Sequence, residues 1–121
     1  MDWYAIAEHE VHAVCKGLPQ NLQASLANLA ITLDPRPRPS EQLDEDDVDE
    51  LLGLFIGPTY AEQSSTTEPI PSAIRLFIEN IKDEADDDPK SFRHEVRKTL
   101  LHELGHYLGL EEDDLDQRGL S

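Results

Sequence analysis

The sequence predicts an α+β fold, a small sheet of about three strands packed with helices. Three observations predict it. One long amphipathic pattern, capped at both ends, runs from about Pro89 to Leu108. A second helical pattern opens the chain. Between them lie short apolar runs of strand length within 29–35, 51–60 and 70–78.

In chain order, Trp3, Ile6, Ala7, Val11 and Val14 recur at helical spacing, and Gly17 is a natural stop. Pro19 begins a short helix that reaches to about Asn28. "LAITLDP" is a strand closed by Pro35. Residues 36–50 are charged and contain prolines, which gives a loop with one turn near Val48 to Leu52. "LLGLFIGPTY" is an apolar run ended by Gly57-Pro58, a buried strand candidate, and "AEQSSTTEP" is a polar loop. "IPSAIRLFIENIKDEA" begins as a strand with Ile74, Leu76 and Ile78 on one face, then turns helical from Glu79. By analogy of fold, and not from its pattern, the Arg75 to Ile78 stretch is expected at a sheet edge bordering a cleft, where an extended peptide can add as a further strand.

The last helix is the best specified. Asp88 at N-cap and Pro89 behind it satisfy free amides and complement the dipole. Gly109 takes the left-handed position just past its end. Val96, Leu100, Leu101, Leu104 and Leu108 form its apolar face.

The 121 residues set the expectation of one domain over 1–121, and hydrophobic residues at 38% with aromatics at 6% point to an aliphatic core. The 26 acidic against 10 basic residues give a net charge of −16, a field that opposes nucleic acid and anionic lipid and suits a basic partner. The lone Cys15 allows no intrachain disulfide. "MDWYAIAEHE" lacks the features of a signal peptide, and no run approaches a membrane span, so a cytoplasmic location is the default.

The chemistry is concentrated in "LLHELGHYLGLEEDD", residues 100–114. His102 and His106 are one helical turn apart and point within about 40° of each other, so both imidazoles can reach one ion. This H-E-x-x-H arrangement is that of zinc peptidases. Zn2+ takes three protein ligands at a catalytic site and keeps a fourth position open. Glu103 stands beside the ion without binding it, as the general base. Only 15 residues follow His106, so the third ligand is expected from the segment after Gly109 or from the N-terminal part. In H-E-x-x-H-x-x-G-x-x-X the last position is Glu112, with Asp113 a close rival and Asp116 a weaker one. His9 and His12, three apart on the first helix, have no third ligand nearby and read as surface histidines.

On these residues, together with "LPQNLQASLANLAITLDP", "LLGLFIGPTY" and "PIPSAIRLFIENI", the chain resembles the small bacterial zincin-like metallopeptidases with the minimal zincin fold. The resemblance covers nearly the whole chain. It implies a compact domain that keeps the core zincin elements, a small mixed sheet and the motif helix. It also implies His102, His106 and Glu112 as metal ligands and Glu103 as the base. The third-ligand position is often Asp in that group, and Phe55 and Phe77 stand where tyrosines are expected. The activity so implied is hydrolysis of a peptide or a flexible protein segment. Tyr60 and Tyr107 are candidate oxyanion stabilisers, with Tyr107 expected on the core side. The rival readings are a non-catalytic metal-binding interaction module and an acidic mimic of nucleic acid.

Overall fold

The structure is a computed structural model that describes residues 1–38, 45–65, 67 and 70–110. Helix α1 spans Trp3–Lys16, where the Asp2 carboxylate accepts from the Ala5 amide at 3.0 Å. Helix α2, Gln20–Gln23, runs on into a 3-10 turn over Ala24–Asn28. Strand β1 is Leu29–Asp34, followed by α3 (Glu45–Glu50), β2 (Gly53–Ile56) and α4 (Tyr60–Ser64). Strand β3 is Ser72–Phe77, and the chain continues into α5 (Ile78–Glu84) and α6 (Pro89–Leu108).

The sheet is mixed, in the order β1-β3-β2. β1 pairs parallel with β3, setting Ile31 beside Ile74 and Leu33 beside Leu76. β2 pairs antiparallel with β3, setting Phe55 beside Ile74 and Gly53 beside Leu76. Strand side chains alternate, so Ile31, Leu33, Phe55, Ile74 and Leu76 share the face turned to the core. The expectation of a sheet edge at Arg75 to Ile78 is corrected here. β3 is the central strand, hydrogen-bonded on both sides, and among the described residues the edges are β1 and β2.

Helices α1, α5 and α6 pack with this sheet around a core that includes Ile74, Leu76, Ile81, Val96, Leu100 and Leu104. Truncating a fully buried leucine such as Leu100 to alanine costs about 2–5 kcal/mol in such a setting. The core is built mainly on Leu, Ile, Val and Ala, as composition suggests. Tyr107, Phe77 and Phe92 are its largest fully buried side chains, and the Trp3 ring meets Phe92 edge-on at 4.9 Å.

Two short elements differ from the sequence expectation. α4 falls where a polar loop is expected, begun by a capping box in which the Thr59 hydroxyl accepts from the Glu62 amide and the Glu62 carboxylate accepts from the Thr59 amide. α3 falls in the charged segment before β2. It is held from α5, where the buried Asn80 side chain donates to the Val48 and Leu51 carbonyls at 2.7 and 2.8 Å. Arg36 in turn donates to Asn80 Oδ1 at 2.6 Å and pairs with Asp83 at 3.0 Å. No described helix is long and apolar enough to cross a membrane.

Candidate metal centre

The ends of α6 are built by local sequence. Asp88 accepts from the Ser91 amide at 2.9 Å, and that bond holds its carboxyl below the usual range. Gly109 has φ 71, in the left-handed region. Behind it the Leu110 amide donates to the Gly105 carbonyl at 2.8 Å and the Gly109 amide donates to the His106 carbonyl at 3.4 Å. This 6→1 and 5→2 pair is a Schellman closure. It turns the chain three residues after His106, with Leu110 packed on the core.

The motif occupies the last two turns. His102 and His106 are exposed on α6, with ring centroids 4.7 Å apart and planes inclined at 54°. Glu103 is buried, at 8% exposure. Its stem lies over the first residue of β2, because a Cβ built on Gly53 would be 3.4 Å from Glu103 Cγ. Leu104 and Gly105, the two residues between Glu103 and His106, are buried, so the helix side opposite the imidazoles is committed to the core.

Tyr107 is fully buried, on the core side as expected. Its hydroxyl lies 2.7 Å from Gln63 Oε1 and 2.8 Å from the Ser25 carbonyl oxygen. Burial raises its pKa, with Tyr60 adding a smaller push. Tyr60 is partly exposed, its ring 5.9 Å from Tyr107, and Phe55 approaches the same ring at 5.8 Å from β2. Phe77 is fully buried and carries the Arg75 guanidinium at 5.2 Å from its ring centroid.

Two imidazoles at this spacing are a donor pair that fits zinc. Among the described residues no group of three His, Cys, Asp or Glu side chains completes a set. Glu112, Asp113 and Asp116 lie outside the described residues. His9 and His12 are exposed on α1, as surface histidines are. Sequence reasoning passed over Gly53 and Gln63. The only signal for the first is a glycine inside an apolar strand, which often marks a close backbone approach. For the second it is the S/T-x-x-E capping pattern immediately before it.

Comparison with known proteins places the chain in a family. Residues 26–120 match the family described as zincin-like metallopeptidase. The match takes in all three strands and α6, and leaves α1 and α2 outside. None of the curated proteins compared with the chain matches it. With the sheet, the motif helix and this match in agreement, the chain belongs to the zincin-like metallopeptidases.

Proposed function

We propose that the chain is a zinc-dependent peptidase in which His102 and His106 hold the ion and Glu103 is the general base. The third ligand is assigned to Glu112, with Asp113 the alternative. The observation that carries the reading is the pairing of two exposed imidazoles 4.7 Å apart with a carboxylate stem seated against the sheet beside them.

When bound, zinc lowers the pKa of its water toward about 7 and polarises the scissile carbonyl. Glu103 accepts the proton of the attacking water and returns it to the leaving amine. A buried stem keeps that carboxylate in one place, which the proton transfer needs. An extended peptide adds to the outer edge of β2, an edge strand whose Gly53 lies against Glu103. The net charge of −16 favours a basic peptide or flexible segment over an acidic one. Tyr107 takes no part as an oxyanion donor, since its hydroxyl is already engaged in the core.

The test is metal analysis and peptide hydrolysis on tag-free protein beside Glu103→Gln. The variant keeps its zinc and loses about 10²–10⁴-fold in kcat. Zinc-loaded wild type and Glu103→Gln that are equally inert on a broad peptide library would instead favour a metal-binding interaction module. A wild type that takes up no zinc removes the reading altogether.

A further inference from the structure

Gly53 opens β2 and is buried. A Cβ there would lie 2.7 Å from Thr99 Cγ2, and 3.4 Å from both Glu103 Cγ and the Arg75 carbonyl oxygen. Thr99 and Glu103 are one turn apart on α6. Two side chains of the motif helix therefore converge on the one residue of β2 that has none.

The backbone does not explain the glycine. Positive φ occurs at Gly57 and Gly109, not at Gly53, so an L side chain is compatible with its conformation. Glycine is also a poor strand former, costing about 0.5–1 kcal/mol against alanine. What excludes a side chain is space. Carbon atoms rest at about 3.5–4.0 Å, so 2.7 Å is far up the repulsive wall. Thr99 is buried and β-branched, so in a helix it has only two favoured rotamers in which to place that methyl. An added methyl at 53 is relieved by moving the strand off the helix, by about 1 Å on the same spacing. The 3.4 Å distance to Glu103 Cγ is ordinary contact. Glu103 is thus not displaced by the methyl itself. What changes around its stem is the position of β2, which that shift carries away from α6.

The position of β2 matters because the Glu103 stem is buried beside it. Its neighbours His102 and His106 are exposed, and a glutamate free in solvent samples many rotamers. We infer that Gly53 is a positioning residue for Glu103. Its missing side chain lets β2 seat directly on the stem of Glu103 and holds the carboxylate at the open edge of the strand. The inference rests on the reading of Glu103 as the base.

Three variants test it: Gly53→Ala, Thr99→Ser, and the two together. Serine lacks the γ-methyl that meets the new Cβ, so the double variant restores the space without restoring the glycine. Crystal structures give the Glu103 position. Kinetics, run well below the melting temperature and normalised to bound zinc, give its consequence. Gly53→Ala should displace the carboxylate by about 1 Å and lower kcat per zinc about 10- to 100-fold, with zinc affinity held within about twofold. Thr99→Ser stays near wild type, and the double variant returns both readouts toward it.

A Gly53→Ala protein that melts earlier yet keeps its kcat per bound zinc reduces Gly53 to packing and overturns the inference. So does a double variant that folds, binds zinc and leaves Glu103 displaced. Should Gly53→Ala not fold, the double variant alone decides, by the same carboxylate position. If Glu103→Gln proves as active as wild type, the catalytic reading fails, while the crystallographic displacement still decides the positioning.

Discussion

The Tyr107 hydroxyl and the Gln63 side-chain oxygen meet at 2.7 Å in the core, joining the motif helix to α4 across 44 residues of sequence. The Gln63 amide nitrogen lies within hydrogen-bond distance of the Asn28 and Ile70 carbonyls, at 3.3 and 3.1 Å, and of the Ser72 hydroxyl at 3.0 Å. One amide thereby gathers the end of the 3-10 turn, the start of β3 and α6. Tyr107→Phe should destabilise the protein by about 1–3 kcal/mol, because it removes the one buried donor that the Gln63 and Ser25 oxygens share. Urea unfolding measures this. A loss well under half a kcal/mol would mean that water replaces the hydroxyl without penalty.

Gly109 closes α6 in the left-handed region, and a Cβ there would touch nothing within 4 Å. The cost of Gly109→Ala is therefore conformational alone, about 1–2 kcal/mol. The same strain opposes the turn that carries the chain toward Glu112. Zinc affinity should fall along with thermal stability. Unchanged zinc titration curves alongside the lowered melting point would show that the ligand after Gly109 does not depend on the cap.

The α6 cap sets an acid dependence. The folded pKa of Asp88 is depressed by the bond from the Ser91 amide, so its contribution is present above the unfolded value near about 3.9 and is lost as pH falls through the folded value. Glu62 behaves likewise through its bond to the Thr59 amide. Asp88→Asn still caps but does not titrate. Its melting temperature should fall less steeply than that of the wild type below about pH 4. Parallel melting curves for the two proteins across that range would contradict the assignment.

Zinc should stabilise the fold by mass action. At free zinc about 100 times Kd the gain is about 2.7 kcal/mol. Calorimetry with and without zinc reads this as a rise in Tm for wild type. His106→Ala should lose the rise while leaving the zinc-free Tm near that of the wild type, since His106 is exposed. An equal zinc response in both proteins would place the ion elsewhere.

Asn80 holds α3 through the Val48 carbonyl and the segment leading into β2 through the Leu51 carbonyl. Asn80→Leu keeps the branched shape with somewhat larger methyl groups, and leaves the Val48 and Leu51 oxygens and the Arg36 guanidinium without this partner. A loss of about 2–3 kcal/mol is expected. Hydrogen exchange should quicken over residues 48–52 ahead of the rest of the chain. Uniform quickening would indicate global loss instead of local release.

Local sequence sets α6. Its bounds follow from Asp88, Pro89 and Gly109, and the turn-long separation of His102 from His106 follows from helix geometry. These are local matters, set by residues no more than five apart, and they were legible for that reason. α4 hid because five residues without an apolar period give no helical signal, although its capping box was written in Thr59 and Glu62. The tertiary structure alone decided which strand borders the motif. Apolar alternation in 72–77 reports that β3 is buried but not that it has a partner on each side. Likewise, nothing near Glu103 in the chain announces Gly53, 50 residues earlier, as the surface on which its stem comes to rest. Periodicity tells which face of an element is hidden. What hides it is settled only when distant segments compete for the same space.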